Sequence, residues 1–118
     1  MGSRQNPERD LQRALVKHLQ VRCKPDVLWW HTPNGGGRDV REASQLKLMG
    51  TLAGVPDLLF LRNGSLFSVE LKAPKAKLQL SDSQQDFQDR FMRAGGYPWL
   101  ANDMDSALMF LSHSDLLR

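Results

Sequence analysis

The stretch Val55–Lys72, VPDLLFLRNGSLFSVELK, contains two runs rich in aliphatic and aromatic residues on either side of Asn63-Gly64. Asn-Gly is the pair that most favours a two-residue type I′ turn, because both positions need a positive φ. Val55–Leu61 and Ser65–Lys72 are therefore expected to be the two strands of a hairpin. The turn fixes their register: Arg62 faces Ser65, Phe60 faces Phe67, and Asp57 faces Glu70. Side chains alternate across a strand, so Asp57, Glu70 and Lys72 share one face. The other face carries Leu58, Phe60, Phe67, Val69 and Leu71, and is the expected core face.

Carboxylates directly opposite one another on neighbouring strands have Cβ atoms about 4.5–5.5 Å apart, and like charges so placed are destabilising. Folding alone gives no reason for that pairing beside a core. A divalent cation between the two acids reverses the sign of the interaction. Mg²⁺ suits such a site, since it takes oxygen ligands and keeps several waters. The competing interpretation is a solvated strand face that carries two acids and a lysine. The pairing, together with the apolar reverse face, favours the metal site.

Working outward, Asn6-Pro7 reads as an N-cap followed by proline at the first helical position. Leu11, Leu15 and Leu19 recur every four residues, predicting a first helix over 7–23. Val27–Thr32 is a predicted first strand, and 33–37 an irregular loop. Asp39-x-x-Glu42 and Ser81-x-x-Gln84 have capping-box spacing and open a second and a third helix. Gly50 ends the second. The third puts Phe87 and Phe91 on one face and stops at Gly95-Gly96. Tyr97–Ala101 is a predicted final strand and 103–111 a final helix. The fold class expected is α/β: one domain over 1–118, a mixed sheet with a central hairpin, flanked by helices.

The 118 residues suit one domain, and 41% hydrophobic residues suffice for a modest core. A net charge of +3 is compatible with a nucleic-acid partner without pointing strongly to one. No apolar run approaches the ~20 residues of a membrane span, and the polar N-terminus does not read as a secretory signal. A lone cysteine, Cys23, fits a reducing compartment. The expected location is the cytoplasm of a bacterial or phage-infected cell. Nothing near Cys23 suggests a catalytic thiol. His31 and His18 lack a second histidine at ligand spacing and read as structural, which disfavours a His-Asn nuclease centred on His31 and Asn34. The run Gly35-Gly36-Gly37 is no phosphate loop, as no Gly-Lys-Ser/Thr follows it.

Gly54-Val-Pro-Asp57 with Glu70-Leu-Lys72 resembles the signature of the restriction-endonuclease-like nucleases, PD-(D/E)XK. The chain more closely resembles the VRR-NUC (virus-type replication-repair nuclease) family. The match extends to Glu8, the Asn34–Arg38 loop, Leu46-x-x-Met49-Gly50, Ala53–Asp57, Leu80-Ser81 and Gln84. It departs at Asp82-Ser83, where many relatives carry proline and glutamate, on the helix cap. The resemblance implies a restriction-endonuclease-like core and Mg²⁺- or Mn²⁺-dependent, structure-selective DNA cleavage. Stand-alone members of this size look like dimeric Holliday-junction resolvases.

Residue by residue, Asp57 and Glu70 would ligate the metal, and the resemblance adds the backbone carbonyl of Leu71. Lys72 would hold the attacking water and offset charge on the phosphate; its plainer role is an ion pair with Glu70. Glu8 is explained by the helix dipole alone, yet it falls on the stripe of Leu11 and Leu15 and can reach the sheet, and the resemblance favours it as a further metal ligand in the active site. Gln84 is explained equally by its cap and by the glutamine that the resemblance puts near the phosphate. Arg38, Arg41, Lys47, Lys75 and Lys77 are candidate phosphate contacts. The expected partner is DNA, branched or four-way, bound by a homodimer, because resolving a junction needs two symmetric cuts. Trp29, Trp30 and Trp99 are candidate interface residues. The alternatives are a DNA-binding module without catalysis, a monomeric nuclease of flaps or branched ends, and a phage structural protein, for which no feature speaks.

Overall fold

The computed structural model describes residues 6–33 and 39–118. In chain order the elements are α1 (Pro7–Arg22), β1 (Leu28–His31), α2 (Val40–Leu48), β2 (Leu58–Arg62), β3 (Ser65–Leu71), α3 (Asp82–Arg93), β4 (Tyr97–Ala101) and α4 (Met104–His113). The strands form one sheet in the order β1-β2-β3-β4. β1–β2 and β2–β3 are antiparallel and β3–β4 is parallel, so the sheet is mixed, with α3 as the crossover between β3 and β4.

The central hairpin has the register that its turn dictates. Phe60 pairs with Phe67, Leu58 with Val69 and Arg62 with Ser65. Asn63 and Gly64 have φ of 50° and 80°, the two positive values a type I′ turn requires. The strands are shorter than the sequence pattern suggests. β2 starts at Leu58 rather than Val55, because Pro56 has no N–H to give and Asp57 donates its own to the Glu70 side chain, at 3.2 Å. β3 stops one residue before Lys72, whose amide still donates to the Ala101 carbonyl at 2.8 Å. β1 loses one residue at each end of its predicted span.

The core lies on the face of Leu58, Phe60, Val69 and Leu71, all fully buried. Leu15 and Leu19 of α1, Ala107 and Leu111 of α4, Ala101 of β4, and Leu116 and Leu117 complete it. Phe67 is on this face but only half-buried, its ring stacked on Tyr97 and edge-on to Phe110. Trp99 stacks on Phe110 with centroids 5.2 Å apart, and its indole N–H donates to Ser106 Oγ. Trp99 and Trp29 are both partly buried, packed against the core. Trp30 is exposed.

The reverse face is not the solvated surface of the simpler interpretation: Leu59, Ser68 and Glu70 on it are buried. α3 reaches this face, fixed by a complete capping box between Ser81 and Gln84. The Asp39 side chain caps α2 through the Glu42 amide. α2 buries no residue and leaves Val40, Leu48 and its C-cap Met49 exposed. No helix among the described residues is long and apolar enough to cross a membrane.

Candidate active site

The site forms at one end of the sheet, where β2 begins and β3 ends. Asp57 and Glu70 meet there, each carboxylate held by a backbone amide. The Asp57 amide donates to Glu70 Oε1, and the Leu71 amide donates to Asp57 Oδ2 at 2.8 Å. Each carboxylate is thus aimed by the neighbouring strand's backbone. Glu8 joins them from the first turn of α1. Carboxylate oxygens of Glu8, Asp57 and Glu70 all lie within 4.8 Å of one another. The Asn6 side chain caps α1 through the Arg9 amide and Pro7 follows it, so the turn that carries Glu8 is locally determined.

Gln84 links the acids to the lysine. Its Oε1 accepts from Lys72 Nζ and from the Ser81 amide, both at 2.9 Å, while its Nε2 donates to Glu70 Oε2 at 2.9 Å. The cap and the site are therefore one arrangement, and the two explanations of Gln84 merge. Lys72 Nζ lies 3.9 Å from Glu70 Oε2, so the plain ion pair is present, but Lys72 is held closer to the glutamine.

The loop before Asp57 is wedged against the start of α3. Gly54 has φ +78°, and a Cβ there would lie 2.2 Å from the Ser83 carbonyl oxygen and 2.6 Å from the Gln84 amide nitrogen. Only glycine permits both the backbone angle and the approach. Gly-Val-Pro-Asp thus positions Asp57 and α3 relative to each other.

Electrostatically the site is short of positive charge. Burial, then the neighbouring Asp57 carboxylate, push Glu70 up to about 8, against the pull of Lys72. Burial raises Asp57 too, with the Leu71 amide and the His31 and Lys72 charges opposing. Glu8 is raised by burial and by Asp57. Three carboxyls raised together, with only oxygen donors converging, are a donor set that fits a hard divalent cation. Glu8, Asp57 and Glu70 are the residues that would hold it.

Of the other residues singled out in the sequence, Arg41 and Lys47 sit exposed on α2, and Lys75 and Lys77 are exposed in the segment after Lys72; none joins the cluster. Arg38, like Asn34 and the three glycines, lies outside the described residues. Leu71 contributes its amide to Asp57. His31, which the sequence reads as structural, touches the site: its Nδ1 is 2.7 Å from the Asp57 carbonyl oxygen and 2.9 Å from Gln12 Nε2. The signal for this contact was weak, since it depends on β1 pairing with β2 so that His31 lies opposite Leu58.

No family model matches the chain, and no curated protein does. Solved structures do. One described as a VRR_NUC domain protein superposes with a TM-score of 0.72 at 18% identity, covering 94% of this chain and 89% of the other. A second, described as a VRR_NUC domain, gives 0.63 at 17% identity, covering 92% and 98%. These likenesses span nearly the whole chain, and the protein has the VRR-NUC fold.

Proposed function

We propose that the protein is a divalent-metal-dependent endonuclease that hydrolyses DNA phosphodiester bonds, selective for branched substrates such as four-way junctions. The convergence of Glu8, Asp57 and Glu70 with a lysine steered by Gln84 carries this reading. A Mg²⁺ or Mn²⁺ ion held by the three carboxylates would supply charge neutralisation and Lewis-acid polarisation of the scissile phosphate. Lys72, with its ammonium fixed by Gln84 Oε1, orients the attacking water and offsets the charge that builds on the phosphate. Glu70, steadied by the Gln84 amide, keeps its carboxylate turned to the ligand cluster.

Two copies acting together suit a substrate that needs paired cuts. Trp30, and on α2 Val40, Leu48 and the C-cap Met49, are exposed apolar side chains that could take part in such a pairing. Light scattering at micromolar concentration is expected to give the mass of a dimer.

The proposed activity is tested by incubating the protein with linear, flapped and four-way DNA in Mg²⁺ or Mn²⁺, then with chelator. Metal-dependent cuts placed symmetrically in the junction are expected. Binding without cleavage of any substrate would instead identify a DNA-binding module on a nuclease-like scaffold. Nicks confined to flaps, from a monomer, would keep the nuclease and remove the junction specificity.

A further inference from the structure

A cleft of about 550 Å³ runs beside α1, lined by Glu8, Arg9, Gln12, Arg13, Lys17 and His31, among others. It begins at the candidate metal site, since Glu8 belongs to the carboxylate cluster and His31 touches the Asp57 carbonyl. It then follows the helix as far as Gln20, about 16 Å beyond Arg9 at 1.5 Å per residue. Arg9, Arg13 and Lys17 recur every four residues, so they form one row on the helix. None of the three is ion-paired among the described residues. Basic side chains elsewhere do find acids, as Arg62 does with Asp26 and Asp115 and Arg90 with Asp86. Among the described residues lining the cleft, Glu8 is the only carboxylate, at its metal-site end.

We infer that this cleft holds one DNA strand beside the scissile phosphate, with Arg9, Arg13 and Lys17 contacting backbone phosphates along a stretch of roughly three to four nucleotides. The inference rests on the nuclease reading and adds the path by which the strand leaves the metal site. Arg9 and Lys17 are about 12 Å apart along the helix, the axial rise of roughly three to four nucleotides of one strand. The complementarity is with backbone charge rather than with bases: three cations in a row, with Gln12 between Arg9 and Arg13 and Gln20 beyond Lys17 as neutral hydrogen-bonding groups. The row is separate from Arg41, Lys47, Lys75 and Lys77, the cations that the sequence alone brought forward.

The test measures binding without catalysis. A fluorescently labelled four-way junction is titrated, in chelator, with the wild-type chain, with Arg13→Gln/Lys17→Gln, and with the charge-matched Arg90→Gln/Arg93→Gln on α3. Salt is varied from 50 to 200 mM. Glutamine keeps helix propensity, and superimposable thermal melts establish that each variant is folded. For the α1 pair, the expected result is a loss of at least about tenfold in affinity at low salt. Its plot of log affinity against log salt should be shallower by about one and a half to two, the value for two phosphate contacts. The α3 pair should keep the wild-type slope. Equal slopes for the wild type and the α1 pair, or equal losses in both variants, would overturn the assignment while leaving a DNA-binding wild type, and the nuclease reading, intact. Wild-type protein that neither binds nor cuts DNA would overturn both.

Discussion

The side-chain amide of Gln84 donates to Glu70 Oε2 at 2.9 Å while its oxygen accepts from Lys72 Nζ. One residue thus sets the orientation of a metal-ligand candidate and of the lysine, from the first turn of a helix that it also caps. Gln84→Glu separates these duties. Its carboxylate keeps an oxygen for the Ser81 amide and for Lys72, but presents a charge to Glu70. A thermal melt in Mg²⁺ should change by less than about 1 kcal/mol, as expected when a capping box is retained, while cleavage falls by tenfold or more. Wild-type cleavage by this variant would reduce Gln84 to a helix cap.

The raised Glu70 carboxyl makes the metal-free fold pH-dependent. In the unfolded chain it ionises near its ordinary value of 4.5, whereas in the fold it stays protonated up to about 8. Between those values the folded state binds more protons, so stability declines as pH rises. The metal-free melting temperature should fall from pH 5 to pH 8.5, and less steeply in Glu70→Gln. Mg²⁺ should raise the melting temperature more at pH 8.5 than at pH 6, since the cation competes with the proton for the same carboxylate. A metal-free stability that is flat or rising across this window in the wild type would contradict the assigned burial of Glu70.

Phe60 and Phe67 are cross-strand partners on the core face with different burial. Phe60 is 0% exposed, and Phe60→Ala should cost about 3–5 kcal/mol in a denaturant melt. Phe67 is half-buried beside Tyr97 and Phe110, and its alanine variant should cost about 2 kcal/mol, below the ~3–5 of a fully buried ring. A smaller loss at Phe60 than at Phe67 would show that the sheet packs differently.

Gly54→Ala is expected to damage both the fold and the site. The methyl would meet the Ser83 carbonyl at 2.2 Å, and the positive φ adds strain of about 1–3 kcal/mol. The start of α3 must move, and Gln84 with it. Stability and cleavage should fall together, whereas Gly64→Ala, whose Cβ meets nothing within 4 Å, should lose stability alone.

The hairpin was legible from the sequence because its information is local. Asn63-Gly64 sets the turn, the turn sets the register, and the register brings Asp57 to Glu70. Glu8 could be assigned to the sheet because a helical stripe at four-residue spacing has one buried side. What could not be read depended on tertiary placement. Whether Gln84 spans from its cap to Lys72 depends on where α3 crosses the reverse face, and Gly54 reports that contact only once Ser83 is seen against it. His31 needed the β1–β2 pairing. The packing of Trp99 against the core was hidden for the same reason: its ring stacks on Phe110, a residue on an element that no local pattern docks onto β4.

In the proposed function, Glu8, Asp57 and Glu70 hold the divalent cation on which DNA cleavage depends. This role is tested most directly by Mn²⁺ binding to the wild-type chain and to Asp57→Ala at pH 8, followed by calorimetry, with junction cleavage measured on the same samples. The wild type should bind Mn²⁺, release protons as it does so, and cut the junction. Asp57→Ala should lose both Mn²⁺ binding and cleavage while still binding the junction. Wild-type cleavage by Asp57→Ala, or Mn²⁺ binding unchanged by the substitution, would contradict the account.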